Sequence, residues 1–342
     1  MDGEFHARWR VSFEGSVRIV RKVHRMMATV WRPWVLAALA VMSPAAIRLP
    51  AAPDDVDSLR QALYDYDATL PLDAAVGPAP LVKNEPPKLK ALRSRHLVKF
   101  TSACDQRVPA ILSLPLSGAK PRGAVILLAG SGGHKDTDYV RLASDMLNTM
   151  GLATLSIDAQ YHGDRARKGR SGDIHLIHLP TNRDAWIQTV RDLRRSVDYL
   201  CSRTDIDASR IGFLGFSQGA MVGGTFIGVE PRIKAACLAV GGAGFVEWAA
   251  ETGAVPSSAA ERLRIGAMMT DPIYFVGRFA PRPLLILAAR RDELIPASAT
   301  ERLARAAGDG KTLIWYNSGH LLAPNAILID ARGFFDKHLA RP

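Results

Sequence analysis

A serine in the middle of the chain lies in a pentapeptide that suits nucleophilic catalysis. Residues 215–219 read GFSQG, which matches the pattern Gly-x-Ser-x-Gly around Ser217. An apolar run, 210–216, leads into this pentapeptide, and a segment rich in small residues, 218–229, leaves it, so the pattern predicts a strand, a sharp turn and a helix. Such a turn projects the serine hydroxyl above the sheet edge, and the helix N-terminus adds positive potential beneath a developing oxyanion. Ser217 is therefore the predicted nucleophile, and a glycine turn without chemistry is the alternative.

A serine hydroxyl needs a general base, and the base needs an acid that orients it. The apolar run 283–289 ends in the loop that contains Asp292, and the run 312–316 ends in the loop that contains His320. If both runs are parallel strands, their carboxyl ends meet at the sheet edge that carries Ser217. We therefore predict that His320 accepts the serine proton and that Asp292 holds the imidazole in the correct tautomer.

Two other carboxylates compete with Asp292 for this role. Glu293 is its direct neighbour, and Asp271 is a more distant alternative. The position of Asp292 in the loop at the carboxyl end of the strand favours it over Glu293. A surface carboxylate paired with Arg291 is the non-catalytic alternative for Asp292.

Acyl transfer also requires hydrogen-bond donors for the oxyanion of the tetrahedral intermediate. One predicted donor is the backbone N–H of Gln218, directly after the nucleophile. The second is predicted in the loop 130–134, GSGGH, which follows an apolar run and whose glycines allow close approach of the backbone to a ligand. Ser131 is the predicted donor there, and Gly132 is the alternative. A phosphate-binding loop is not favoured, because the Gly-Lys-Ser/Thr ending is missing.

The segment 161–165, YHGDR, follows the next apolar run and is expected at the same edge. We predict that His162 contacts substrate; that His162 and Arg165 only hold the loop is equally compatible with the sequence. The chain contains no His-Glu-x-x-His motif, no paired cysteines and no Gly-x-Gly-x-x-Gly in a dinucleotide-binding context. The sequence therefore predicts neither a metal nor a cofactor.

Strand-like and helical segments alternate from about residue 96 to the end of the chain and would position these residues. Continuous apolar strands separated by helices predict a parallel sheet that is covered on both faces, an α/β fold. The predicted strands are 96–101, 108–114, 124–129, 152–157, 210–216, 233–240, 283–289 and 312–316, and the predicted helices are 139–150, 181–201, 218–229, 298–307 and 324–339.

The first 95 residues have a different character. Residues 1–50 form a basic leader with a short apolar run, WVLAALAVM, at 34–42, and small residues follow the run. This order is typical of a secretory signal, and a start at Met26 or Met27 would give it an ordinary length. We expect export to the periplasm or the medium; an amphipathic surface helix is the alternative, and without a functional leader the protein would be cytoplasmic. Residues 51–95 are predicted to form a short helix, in which apolar residues recur at helical spacing from Asp54 to Leu70, and a proline-rich connector.

The basic charge does not indicate nucleic-acid binding. The formal net charge is +11, but residues 1–50 hold eight Lys/Arg and three Asp/Glu, so +5 of it lies in the leader. The remaining +6 is spread over nearly three hundred residues without a lysine run or a basic-aromatic stripe. We therefore expect no nucleic-acid partner, and no stable membrane span in the mature form.

Together these segments resemble the α/β-hydrolase superfamily, and within it the dienelactone hydrolase-like and acetyl-esterase-like branch. The resemblance covers roughly residues 96–342 and rests on the motifs GFSQG, AGSGGHKD, DAQYHGDR, RRDELIP and NSGH. It implies an eight-stranded, mostly parallel sheet and a cofactor-free esterase. Dienelactone hydrolases use a cysteine nucleophile, so Ser217 is a departure. Residues 245–279 resemble a small lid and are called the lid insertion below.

The expected function is hydrolysis of small-molecule carboxylic esters with short or medium acyl chains through an acyl-enzyme. A peptidase of the prolyl-oligopeptidase type has a C-terminal catalytic part of the same kind and is an alternative. Residues 51–95 are too few, however, for the propeller domain that such a peptidase usually has. A thioesterase or acyltransferase remains open, because the same acyl-enzyme serves both. A catalytically silent binding protein of the same fold is the alternative from a different class.

Overall fold

The computed structural model describes residues 55–118, 120–173, 177, 179–253, 255, 257–322 and 324–340. The leader, residues 1–50, lies outside the described residues, so the expected export stays a prediction. None of the helices in the described ranges has the length and hydropathy needed to cross a bilayer.

Strands and helices alternate along the described chain. The strands are β1 (Ala75–Pro78), β2 (Arg93–Thr101), β3 (Arg107–Pro115), β4 (Arg122–Leu128), β5 (Ala153–Ile157), β6 (Ile206–Phe216), β7 (Ile233–Ala239), β8 (Leu284–Ala289) and β9 (Lys311–Tyr316). The helices are α1 (Val56–Leu63), α2 (Pro87–Lys90), α3 (Asp138–Thr149), α4 (Pro180–Cys201), α5 (Gln218–Val229), α6 (Phe245–Thr252), α7 (Ser257–Thr270), α8 (Ala297–Ala306) and α9 (Pro324–Phe335). Short 3₁₀ turns occupy Gly163–Arg165, Pro272–Tyr274 and Val276–Phe279, and a π-helical turn occupies Asp336–Ala340.

The strands form one sheet in the order β1-β2-β3-β5-β4-β6-β7-β8-β9. The pairs β1–β2, β2–β3 and β3–β5 are antiparallel. All other neighbouring strands, from β5 to β9 in the sheet order, are parallel. The predicted mostly parallel sheet is confirmed, but the described residues contain nine strands instead of eight. The additional strand, β1, comes from the segment predicted as a connector and pairs with β2 at the sheet edge, where its terminal proline is tolerated.

Both faces of the sheet are buried. Along β6, Phe213 packs in one apolar cluster and the next residue, Leu214, packs in a second cluster on the opposite face. Helices α4 and α5 contribute Trp186 and Phe226 to the first cluster, and α3 contributes Leu147 to the second. Successive side chains of a strand point to opposite faces, so this division confirms the predicted α/β architecture with helices on both sides.

Helix α1 is shorter than the apolar pattern up to Leu70 predicts. It ends at Leu63, with Tyr64 as its C-cap, and backbone carbonyl groups at this end accept hydrogen bonds from arginines of α4. Arg191 donates to the Leu63 carbonyl at 2.6 Å, and Arg194 donates to the Tyr64 carbonyl at 2.8 Å. The helical pattern was correct for Val56–Leu63, and contacts with α4 pair the carbonyl groups at the end of the helix.

The lid insertion consists of α6, α7 and two 3₁₀ turns, and one buried carboxylate joins its two ends. Asp271, after α7, accepts hydrogen bonds from the backbone N–H groups of Gly244 and Phe245 at the start of α6, at 3.0 and 2.5 Å. It also accepts from Ile273 N–H at 3.0 Å. Asp271 therefore holds the lid insertion at its base and takes no part in orienting His320.

Asp271 should make the stability of the protein depend on pH. Burial raises the pKa of its carboxyl from 3.8 to about 6, although the backbone hydrogen bonds partly oppose this shift. The folded state therefore keeps a proton that the unfolded state releases, and the resulting stabilisation is complete below pH 3.8 and is lost as the pH rises through 6. Asn at this position cannot titrate, so the difference in unfolding free energy between wild type and Asp271→Asn isolates the pH-dependent contribution of the Asp271 carboxyl.

Urea unfolding of both proteins at pH 5 and pH 7 tests this prediction. We expect the wild type to lose about 1 kcal/mol of unfolding free energy relative to Asp271→Asn between these two pH values. All other titrating groups are common to both proteins and cancel in the comparison. A difference that stays constant with pH would contradict the raised pKa.

Candidate active site

Ser217 lies at a strained turn between β6 and α5. Its backbone has φ +52° and ψ −120°, a conformation that is unfavourable for a residue with a Cβ atom. The flanking glycines make the turn possible: a Cβ atom on Gly215 would lie 2.3 Å from the Gly219 carbonyl oxygen, and one on Gly219 would lie 2.4 Å from the Ala129 carbonyl oxygen. The Ser217 N–H donates to the Ala239 carbonyl at 2.8 Å, which fastens the turn to the end of β7.

The structure brings together the three residues of the predicted triad. His320 Nε2 lies 3.0 Å from Ser217 Oγ, and His320 Nδ1 lies 2.8 and 2.9 Å from the two carboxylate oxygens of Asp292. Their positions follow β6, β8 and β9, whose carboxyl ends share one edge of the sheet. The side chains of His320 and Asp292 are almost completely buried, which strengthens their electrostatic interaction.

Asp292 is held in place by its own loop. Its Oδ1 accepts hydrogen bonds from the backbone N–H groups of Leu294 at 2.9 Å and Ile295 at 2.8 Å. These bonds fix the rotation of the carboxylate, so the orientation toward His320 does not depend on the histidine alone.

Glu293 contacts the histidine loop in a different way. Its Oε2 accepts a hydrogen bond from the backbone N–H of His320 at 3.0 Å, and this bond is the main reason that the pKa of the Glu293 carboxyl is lowered. Glu293 therefore supports the backbone of His320, whereas Asp292 meets the ring. The sequence favoured Asp292 over Glu293 by position, but the backbone role of Glu293 was not anticipated.

The loop after β4 lies against Ser217. A Cβ atom on Gly130 would lie 3.0 Å from Ser217 Cβ, so any larger residue would crowd the nucleophile. The Gly130 N–H donates to Tyr139 Oη at 3.0 Å, so this amide group already has a hydrogen-bond acceptor. The amide of Ser131, the next residue, stays the predicted second oxyanion donor, with Gly132 as the alternative.

The side chains of the two predicted oxyanion residues are linked. Ser131 Oγ donates to Gln218 Oε1 at 2.7 Å, and Gln218 Nε2 donates to the Gly172 carbonyl at 2.9 Å. This chain of hydrogen bonds fixes the loop after β4 relative to the start of α5. A fixed spacing between the two backbone amides is what preorganised oxyanion binding requires.

His162 lies behind this loop. Its Nδ1 is 3.0 Å from the Gln160 carbonyl oxygen and its Nε2 is 3.6 Å from Asp173, and the ring lines a small internal cavity shared with Gly130 and Gln218. It is not among the residues that line the larger cavity at Ser217, so contact with substrate stays a prediction. The neighbouring Arg165 forms a buried ion pair with Asp192, which holds the loop.

A cavity of about 550 Å³ opens beside Ser217 and His320. None of the described residues that line it is Lys, Arg, Asp or Glu. Trp248, from α6 of the lid insertion, forms part of its wall, and Tyr139 packs edge-on against Phe216 at 5.1 Å between ring centroids. The remaining lining residues are Gly130, Ser131, Met221, Val240, Leu294, Ile295, Leu321 and Leu322.

Part of the chain is similar to a family of serine hydrolases. The family model described as "Serine hydrolase (FSH1)" matches residues 167–327, slightly less than half of the chain, and this range contains the three triad positions. A putative hydrolase, YtaP, of Bacillus subtilis is 30% identical over 140 residues, which cover 38% of this chain and 46% of YtaP. An uncharacterized protein of Mycobacterium tuberculosis is 27% identical over 193 residues, which cover 56% of this chain and 60% of that protein. The chain thus spans less than two thirds of the length of these relatives.

Solved structures show the fold. The acetyl xylan esterase from Paenibacillus sp. R4 superposes with a TM-score of 0.67 at 21% identity, covering 85% of this chain and 96% of that one. Acetyl xylan esterase 1 from Thermoanaerobacterium sp. JW/SL YS485 superposes with a TM-score of 0.68 at 15% identity, covering 84% and 94%. At these identities the likeness concerns architecture alone.

Proposed function

We propose that this chain, which has the α/β-hydrolase fold, is a carboxylic-ester hydrolase that works through an acyl-enzyme on Ser217. The observation that carries the proposal is the continuous hydrogen-bond path from Ser217 Oγ through His320 to Asp292 at the wall of a cavity. The serine hydrolase family model, which spans all three residues, supports it.

In the first half of the reaction Ser217 Oγ attacks the ester carbonyl carbon. His320 Nε2, 3.0 Å away, takes the serine proton, and Asp292 stabilises the imidazolium that forms. The backbone N–H groups of Gln218 and Ser131 bind the oxyanion, a contribution typically worth 10²- to 10³-fold in rate for each donor. The N-terminus of α5 adds its positive potential at the same place.

The tetrahedral intermediate then breaks its bond to the leaving oxygen, which takes the proton from His320, and the acyl group remains on Ser217. In the second half water attacks the acyl carbon and gives a proton to His320; the bond to Ser217 Oγ then breaks, His320 returns the proton to Oγ, and the carboxylic acid is released. If a thiol ester delivers the acyl group, or an alcohol replaces water, the same steps give a thioesterase or an acyltransferase.

The cavity supports neutral esters with short or medium acyl chains as substrates. Its volume of about 550 Å³ is in the usual range for sites that enclose small molecules. Charged acyl groups are disfavoured, because no charged side chain among the described lining residues would compensate for their desolvation.

Labelling with a fluorophosphonate probe tests the proposal directly. We expect the native protein to form one covalent adduct, which mass spectrometry should locate on the peptide that contains Ser217, and to hydrolyse p-nitrophenyl acetate and butyrate. Heat-denatured protein should not label, because the reactivity of the serine depends on His320. A native protein that neither labels nor hydrolyses would instead favour a silent binding protein of the same fold.

A further inference from the structure

Two leucines beside the proposed triad are largely exposed to solvent. Leu321 directly follows His320 and is 87% exposed, and Leu294 follows Asp292 by two residues and is 60% exposed. Both line the cavity that contains Ser217 Oγ. Covering such side chains with an apolar group releases water and is favourable, so these two leucines favour an apolar binding partner.

The chemistry of the proposed mechanism indicates which part of the substrate would lie there. His320 must transfer its proton to the leaving oxygen, so the leaving alcohol has to lie beside the imidazole. Leu294 and Leu321 belong to the loops that carry Asp292 and His320. The rim formed by these two leucines, called the leucine rim here, is therefore placed to contact the leaving group.

The rest of the cavity offers few groups that could bind a polar alcohol. Met221 and Val240 are apolar, and Trp248 offers only its indole N–H. The other polar side chains among the described lining residues are those of Ser131, Tyr139, Ser217 and His320. Ser131 is bonded to Gln218, and Tyr139 accepts a bond from the Gly130 amide. A sugar alcohol would lose hydrogen bonds to water here without replacing them.

We infer that the leaving group of the natural substrate is an apolar alkyl or aryl alcohol that covers the leucine rim, an inference that rests on the proposed esterase function. The reaction transfers the acyl group to Ser217 and the proton of Ser217, through His320, to the oxygen of that alcohol. The leucine rim then selects among esters that share an acyl group.

A series of ethyl, butyl and hexyl acetates tests this inference, because the acyl group and the intrinsic reactivity of the ester stay nearly constant. With hydrolysis followed by titration of the released acid, kcat/KM should rise by up to about fourfold for each methylene group that the rim covers. In Leu321→Ser and Leu294→Ser the ratio of kcat/KM for hexyl to ethyl acetate should fall at least fivefold. Leu116→Ser is the matched control, since Leu116 is 61% exposed at the end of β3 and does not line the cavity.

The outcomes separate this inference from the proposed function. A wild type that hydrolyses all three acetates equally, or rim variants that keep the wild-type ratio, would overturn the inference and leave the esterase intact. A wild type that hydrolyses no ester and does not react with fluorophosphonate would overturn both. If sedimentation velocity shows that Leu321→Ser converts a dimer into a monomer, the rim is an interface between two copies and the inference is wrong.

Discussion

Ser217→Ala should lower kcat for p-nitrophenyl butyrate by at least about 10⁴-fold and abolish fluorophosphonate labelling. The substitution removes the only atom that could carry the acyl group in the proposed mechanism, and His320 is left without its hydrogen-bond partner at 3.0 Å. The remaining hydrolysis would be direct attack by water on an ester whose oxyanion the backbone amides still bind. Steady-state kinetics on the purified variant measures the loss.

The fold should survive this change, because the turn is held by backbone contacts. The N–H of residue 217 donates to the Ala239 carbonyl, and this bond does not involve the side chain. Thermal unfolding of Ser217→Ala should therefore resemble that of the wild type. Ser209→Ala, at an exposed position early in β6, is the control and should retain full activity. Residual activity above about one per cent of wild type would mean that another residue is the nucleophile.

Asp292→Asn should lower kcat by about 10³- to 10⁴-fold. The backbone N–H groups of Leu294 and Ile295 donate to Oδ1, so the asparagine oxygen has to stay there and its NH₂ group takes the place of Oδ2, the carboxylate oxygen nearer to His320 Nδ1 at 2.8 Å. Nδ1 of His320 would then act as an acceptor, and the proton would lie on Nε2. A protonated Nε2 cannot accept the proton of Ser217.

Glu293→Gln is the matched comparison and should cost less than about tenfold in kcat. Glu293 accepts a hydrogen bond from the backbone N–H of His320, and the amide oxygen of glutamine can accept the same bond. The pH dependence of kcat should shift in Asp292→Asn and stay close to wild type in Glu293→Gln. If Glu293→Gln were the more damaging substitution, the acid would be Glu293 and the proposed triad would need revision.

Much of the local structure could be predicted from the order of residue types. Helix α5 begins and ends where the pattern predicts, and α4 begins one residue earlier, at Pro180. The alternation of apolar strands and helices predicted the covered, mostly parallel sheet, because burial on both faces requires strands without polar alternation. The order of Ser217, Asp292 and His320 along the chain predicted their meeting, since parallel strands end at one edge.

Tertiary contacts decided the features that the neighbouring residues in the sequence do not indicate. Helix α1 ends at Leu63, where arginines of α4, more than a hundred residues away in the chain, bind the carbonyl groups of Leu63 and Tyr64. The amide of Gly130 is occupied because α3 brings Tyr139 Oη to 3.0 Å.

The two adjacent carboxylates show most clearly what the sequence determined and what only the tertiary structure decided. Asp292 and Glu293 have the same charge and nearly the same position in the chain, so sequence alone could only rank them. Folding places one carboxylate on the imidazole and the other on the backbone of the same histidine. Residue types and their order thus determined which groups are present and which strands carry them. Distances between groups far apart in the chain arise only when the sheet and its loops pack, and those distances decide which atom each group contacts.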